Sequence, residues 1–186
     1  MSIWRSGLTV EQLNRPSIGG SMAWHLGVRF TEVGPDYLRA TMPVNEYTRQ
    51  PAGILHGGAN VTLAETVGSV ASAMLAGHEQ WRHVGLEVNA NHLRRVADGT
   101  VTATARPLHI GRSTQVWDVR IEDEAGRITC ICRLTVMTVG QRAEPDLRLF
   151  SPPLEERSHE HQSWRQDSFR DPDTDDRRGP QADFHR

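Results

Sequence analysis

Alternating apolar and polar positions predict six strands, and one long apolar helix interrupts them. Residues 28–33 and 37–44 alternate on either side of Gly34-Pro35-Asp36, which indicates a hairpin. Leu38 and Met42 fall on one face of the second run, as expected for a half-buried strand. Further alternating runs cover residues 84–90, 101–105, 115–121 and 128–139, with a turn at residues 123–126 between the last two.

The predicted helix spans residues 59–76, about five turns rich in Ala, Val and Leu and free of Pro. A helix that is apolar nearly all round is a buried one. Small residues such as Ala64, Gly68 and Ala71 would let a sheet approach it closely. The pattern therefore predicts an α+β fold in which a single antiparallel sheet curves around one central helix.

Shorter signals precede these elements. Thr9 and Gln12 have the spacing of a capping box, with Leu8 and Leu13 placed to staple it, so a short helix should begin there. Residues 21–27 predict another helical turn that is closed by Gly27.

Composition divides the chain near residue 140. Residues 1–140 predict one domain, whereas residues 141–186 are mostly Pro, Asp, Glu, Arg, Ser and Gln, and we expect a disordered polar tail there. The tail contains Ser158-His159-Glu160-His161, but two histidines in an acidic stretch are weak evidence for a metal site.

Charge and hydropathy exclude several classes of function. Residues 1–140 hold 13 Arg against 12 Asp and Glu, without the basic excess of a nucleic-acid surface. The chain has no Lys, which excludes Schiff-base lysine chemistry and a phosphate-loop lysine. It shows neither a secretory signal nor a membrane span, so we expect a cytoplasmic protein that does not enter the membrane.

Cys130 and Cys132 are two residues apart in an alternating run, so both should point to the same side of one strand. A disulfide between them is geometrically poor. Their neighbourhood supplies no obvious metal partners, which favours small core residues over a metal or redox pair.

Glu65 lies in the middle of the apolar helix, where a carboxylate needs an explanation. It either faces an exposed stripe or sits in a pocket as a base or nucleophile. Ser69 follows on the same helical face and could bond that carboxylate, although Ser also suits tight helix packing.

His56-Gly57-Gly58 stands where a loop becomes the helix. Free backbone N–H groups at the positive end of the helix dipole suit a carbonyl oxygen that gains negative charge. The same residues could equally form a capped tight turn, and Gln50 could be an ordinary loop residue. Helical rise separates Gly57 from Glu65 by roughly 12 Å, so one carbonyl carbon could meet both only across an interface between two subunits.

Several motifs resemble the bacterial hotdog-fold thioesterases. The chain is most similar to the subgroup of the 1,4-dihydroxy-2-naphthoyl-CoA thioesterase of menaquinone synthesis and the proofreading thioesterase of enterobactin synthesis. The likeness extends from about Ile3 to Val139. It rests on five segments: Leu55-His56-Gly57-Gly58-Ala59, Leu63-Ala64-Glu65-Thr66, Gly68-Ser69, Gly85 to His92, and Pro107 to Arg112.

The resemblance implies dimers whose sheets join edge to edge, often paired into tetramers, that hydrolyse an acyl-CoA or carrier-protein thioester without metal or cofactor. Glu65 would attack the thioester or activate water, while the Gly57 N–H polarises the carbonyl from the facing subunit. His56, Gln50 and Ser69 would assist. The residues on the family's CoA-contacting segments are Gly85, His92, Leu93, Arg94, Arg95, His109, Ile110, Gly111, Arg112, Ser113 and Thr114.

Several of the charged residues on these segments have alternative roles. Arg94, Arg95 and Arg112 suit CoA phosphates, but exposed arginines need no ligand. His92 and His109 could be strand-end residues. A non-catalytic acyl-CoA-binding protein, a hotdog hydratase or dehydratase, and an interaction protein that acts through its tail are the alternative functions; the presence of Glu65 argues against the first two.

Overall fold

The computed structural model describes residues 2–15 and 21–141. Its helices are α1 (Val10–Leu13), α2 (Met22–His25) and α3 (Gly57–Ala73). Its strands are β1 (Arg29–Val33), β2 (Leu38–Pro43), β3 (Trp81–His92), β4 (Thr100–Ile110), β5 (Thr114–Glu122) and β6 (Ile128–Gln141).

All six strands form one antiparallel sheet in the order β1-β2-β4-β5-β6-β3. Helix α3 packs against strands β2 to β6. The predicted α+β arrangement of one antiparallel sheet around one main helix is therefore confirmed. Strands β1 and β3 are the two edges of the sheet.

The core lies between α3 and the sheet. Alternate residues of β2 and β4 are fully buried there, as the pattern predicted: Leu38, Ala40, Met42, Val101, Ala103 and Ala105. The small residues of α3 permit close approach, because a Cβ on Gly68 would come within 2.5 Å of Leu134 Cδ2. Trp117 is fully buried, stacks on Trp4 at 6.1 Å and donates its indole N–H to Ser72 Oγ at 2.7 Å.

The bounds of α3 differ from the prediction at both ends. It begins two residues earlier, because His56 caps the first turn. It ends at Ala73 because the N-terminal segment pairs with the residues that follow: the Arg5 N–H donates to the Met74 carbonyl at 2.9 Å, and the Ala76 N–H donates to Ile3 at 3.0 Å. That pairing is long-range in sequence and invisible to helical periodicity.

Strands β3 to β6 are longer than predicted, β3 and β4 by at least five residues each. Strand β4 continues through Pro107 to Ile110, and a bulge between Pro107 and His109 accommodates the missing N–H. Strand β3 was predicted at residues 84–90 and has twelve residues in the structure.

The predictions for the two short helices and for the cysteines agree with the structure. Thr9 and Gln12 form the capping box of α1, and Gly27 follows α2 with φ of 76°. Cys130 and Cys132 are both buried and free. Among the described residues, no helix is long and apolar enough to cross a membrane, and no group of three His, Cys, Asp or Glu is arranged to hold a metal. The cytoplasmic location stays a prediction, and the tail beyond Gln141 lies outside the described residues.

Candidate active site

The first two N–H groups of α3 differ in their hydrogen bonding. His56 Nδ1 accepts the Gly58 N–H at 2.8 Å, and the His56 N–H itself donates to the Thr48 carbonyl at 2.8 Å. Among the described residues, no hydrogen bond uses the Gly57 N–H. The capping role considered for His56 is therefore present, and it leaves the Gly57 N–H available at the positive end of the helix dipole.

His92, the last residue of β3, lies against Gly57. A Cβ on Gly57 would stand 2.9 Å from His92 Nε2, so the absence of a side chain at Gly57 is what admits the ring. Both residues line a cleft of about 250 Å³. The cleft is completed by Gln50, Ile54, Leu55, Asn60, Leu93, Arg94 and Arg95.

Glu65 occupies a different position, two turns further along α3. Its side chain is half-buried. This burial is intermediate between the two alternatives considered for Glu65, an exposed stripe and a deep pocket. Ser69 donates its hydroxyl to Glu65 Oε1 at 2.9 Å, so the bond considered for that pair is present. The carboxylate lies directly over strand β3, because a Cβ on Gly85 would come within 2.2 Å of Oε1.

A third group of predicted residues forms the turn between β4 and β5. The Gly111 N–H donates to the Thr114 carbonyl at 2.9 Å, and the ring of His109 folds over Gly111. Arg112 and Ser113 are exposed and line a separate cleft of about 530 Å³ with His78 and Trp81. Ile110 is 41% exposed at the end of β4.

Within one chain, these residues thus form three separate groups. The free N–H of Gly57 and the carboxylate of Glu65 lie on one helix at residues whose axial spacing is about 12 Å. Gln50 and His92 lie with Gly57, and Gly85 lies with Glu65. His56 does not share the Gln50 cleft, because its side chain lines a neighbouring cleft with Tyr47 and Thr62.

Sequence reasoning missed Asn60. It is 5% exposed in α3, its Nδ2 lies 3.4 Å from His92 Nδ1, and its Oδ1 is buried without a hydrogen-bond partner among the described residues. The available signal was an Asn inside an otherwise apolar helix, where a buried amide is costly unless it is bonded.

Comparison with known proteins identifies the family of the chain. The family model of the thioesterase superfamily matches residues 52–130, which include the residues of all three groups except Gln50. The 1,4-dihydroxy-2-naphthoyl-CoA hydrolase of Escherichia coli K12 is 49% identical over 134 residues, covering 72% of this chain and 96% of that protein. Proofreading thioesterase EntH of Cronobacter turicensis is 45% identical over 138 residues, covering 74% of this chain and 99% of its own.

Solved structures give the same result. A glutamine-to-alanine mutant of a thioesterase from Pseudomonas aeruginosa superposes with a TM-score of 0.71 at 48% identity, covering 74% of this chain and 99% of its own. A thioesterase from Haemophilus influenzae gives a TM-score of 0.70 at 44% identity, covering 74% and 95%.

Proposed function

Because the chain belongs to the thioesterase superfamily and is a thioester hydrolase with the hotdog fold, we propose that it hydrolyses an acyl-CoA to free acid and CoA. An aromatic acyl group is favoured, since a relative at 49% identity is named for 1,4-dihydroxy-2-naphthoyl-CoA. An acyl or aryl carrier-protein thioester is the alternative substrate, in line with the proofreading thioesterase among the relatives.

Glu65 is the catalytic carboxylate of this proposal. The observation that carries it is the fixed carboxylate over Gly85, held by the hydroxyl of Ser69 and open at the sheet edge. Its oxygen either attacks the thioester carbon directly or removes a proton from the attacking water. If Glu65 attacks, the C–S bond breaks to give an acyl-glutamyl anhydride and the protonated thiol, and water then hydrolyses the anhydride to the free acid and the Glu65 carboxylate. If Glu65 activates water, the water oxygen adds to the thioester carbon, the C–S bond breaks, and the thiol leaves with the proton.

The Gly57 N–H polarises the carbonyl oxygen. It has no partner in the described structure and stands at the N-terminus of a 17-residue helix, so it can stabilise negative charge that develops on that oxygen. Gln50 shares the same cleft, where its amide can hold the attacking water. His56 has Nδ1 occupied by Gly58, so its proton is on Nε2 and can be donated to the substrate.

The carboxylate and the Gly57 N–H come from two different subunits in this proposal. Within a chain, Glu65 lies at Gly85 and Gly57 lies at His92, and Gly85 and His92 are both in the edge strand β3. If two copies of β3 pair antiparallel about an axis near residues 88 and 89, Gly85 of one copy comes opposite His92 of the other. The pairing joins the two half-sites and creates two equivalent active sites per dimer.

The CoA moiety is then held by charged residues that flank the joined strands. Arg94 and Arg95 follow His92 in the cleft of Gly57, and Arg112 projects from the β4–β5 turn. Guanidinium groups bind phosphate oxygens in paired hydrogen bonds. Leu93 and the turn residues 109–114 would contact the rest of CoA. Pairing of dimers into tetramers stays a prediction.

The first experiment measures thiol release from a panel of aromatic and aliphatic acyl-CoAs. Glu65→Gln keeps the size of the side chain and should lose turnover steeply, with little change in KM. Gly57→Pro removes the N–H at a helix position that tolerates Pro, and should lower kcat by roughly a hundredfold. Its matched control, Gly57→Ala, keeps the N–H and makes the same close contact with His92, so the difference between the two variants isolates the N–H. Near-native turnover in Glu65→Gln would refute the assignment.

Mixing two inactive variants tests the shared site. In a heterodimer of Glu65→Gln and Gly57→Pro, one site carries both defects and the other carries neither. An equal mixture that exchanges subunits should therefore recover about one quarter of wild-type activity. No recovery, with exchange demonstrated by mass, would place the complete site within one chain.

A further inference from the structure

Asn60 and Cys130 converge on one nitrogen of His92. Asn60 Nδ2 and Cys130 Sγ each lie 3.4 Å from His92 Nδ1. The amide NH₂ group is a donor, and a thiol can donate through its S–H. Asn60 and Cys130 are 5% and 0% exposed, whereas the ring of His92 reaches the surface.

A neighbouring cysteine contacts the Cys130 thiol. Cys132 Sγ lies 3.5 Å from Cys130 Sγ, and this hydrogen bond lowers the pKa of the Cys130 thiol. A more acidic thiol is in turn a better donor to the imidazole.

A ring nitrogen that receives two donors keeps its lone pair, so the proton of a neutral imidazole is on the other nitrogen. For His92 that other nitrogen is Nε2. It lies against Gly57, at 2.9 Å from the position that a Cβ would take, and the Gly57 N–H is itself unpaired. In this tautomer Gly57 and His92 each carry an N–H group, and both residues line the same cleft.

We propose that Asn60 is a positioning residue that holds His92 as the Nε2–H tautomer, so that His92 and Gly57 together donate to the thioester carbonyl oxygen. The inference rests on the proposed function and adds a second donor, and the residue that orients it, to the same site. Asn60 itself does not touch the substrate. Its buried amide is explained by this bond, since a buried polar group is otherwise destabilising.

The tautomer can be measured without substrate. Long-range ¹H–¹⁵N correlations of histidine-labelled protein distinguish Nε2–H from Nδ1–H, and a His92→Gln spectrum assigns the signal. We expect Nε2–H in the wild type and a mixture of tautomers in Asn60→Leu. A wild-type His92 in the Nδ1–H form overturns the inference, whether or not any variant folds.

Turnover tests the consequence. Asn60→Leu should lower kcat by roughly tenfold to a hundredfold with a smaller change in KM, as expected when a transition-state donor is misplaced. Asn60→Ser keeps a donor group and should recover part of the loss. Ser72→Ala is the matched control, because it removes another buried polar contact of α3 away from this cleft and should leave kcat near wild type.

The outcomes separate this inference from the proposed function. An unchanged tautomer or unchanged kcat in Asn60→Leu overturns the role of Asn60 while the wild type still hydrolyses thioesters. A wild type that hydrolyses no thioester of the panel defeats the proposed function, and with it the second donor, although the tautomer would still be measurable.

Discussion

The two edges of the sheet are built differently. Strand β1 is five residues long, and Asn14 closes its outer side by accepting the Phe30 N–H at 2.9 Å and donating to the Phe30 carbonyl at 2.7 Å. Arg29 further covers the ring of Trp24 at 3.7 Å. Strand β3 has twelve residues and exposes Val84 and Leu86 by 43% and 59%.

An uncovered edge strand is a template for pairing, and proteins usually protect it. Here the protected edge lies far from the predicted catalytic residues, whereas the open edge carries Gly85 and His92, each against one of the two half-sites. The difference supports the proposal that a second copy pairs with β3 and completes the active site there. The predictions below test that reading.

Charge on the open edge should have the largest effect. The double variant Val84→Arg and Leu86→Arg places two cations on each β3, so pairing of two copies brings four of them together. We expect monomers in light scattering and a loss of turnover of at least about a hundredfold, because each half-site lacks its complement. Thr31→Arg on β1 is the matched control and should keep both mass and turnover. Full activity as a monomer would contradict the shared site.

A smaller change to the same strand should reduce turnover without dissociating the protein. Gly85→Ala introduces a Cβ at 2.2 Å from Glu65 Oε1, so the carboxylate must move. We expect kcat to fall by roughly tenfold to a hundredfold, with unchanged mass and unfolding midpoint. Unchanged kcat would show that the position of the carboxylate over Gly85 is not the reactive one.

Local sequence patterns predicted the core strands and the central helix but not the structure at the edges of the sheet. Alternation placed Leu38, Ala40 and Met42 in the core, and small residues identified the buried helix, because both signals depend on neighbours in sequence. The role of Asn14 could not be foreseen, since it bonds Phe30 sixteen residues away. The extension of β4 past Pro107 was missed because Pro predicts the end of a strand, and a bulge restores the pairing.

The candidate site shows the same division. Glu65, Gly57 and His56 could be named from their place in the helix and from family resemblance, and the Ser69 bond follows from i, i+4 spacing. Asn60 was missed because its partner His92 comes from a distant strand. The roles of all these residues stay predictions until the variants are measured.

Removing the hydrogen bonds that protect the outer side of β1 should lower stability but not activity. Asn14→Leu removes two hydrogen bonds to Phe30 and should lower the free energy of unfolding by about 1–3 kcal/mol, with kcat unchanged. Asn14→Asp can still accept the Phe30 N–H but cannot donate to its carbonyl, so an intermediate loss is expected. Denaturant unfolding at constant protein concentration measures both. A loss of turnover in either folded variant would mean that β1 also contributes to the site.

A substitution in the turn that joins β5 to β6 should have the smallest effect. The turn lies outside the site and only supports β6, the strand that pairs with β3. Asp123 accepts hydrogen bonds from Arg127, which lower the pKa of its carboxyl, and from the Ala125 N–H. A lowered pKa stabilises the fold above the unfolded value of about 3.9, and this contribution is lost as the pH falls through the folded value. Asp123→Asn should therefore melt slightly lower than wild type at pH 7, and thermal unfolding measures the difference. The gap between the two melting temperatures should narrow as the pH falls toward the acidic range. A gap that is constant with pH would assign the effect to turn geometry instead of charge.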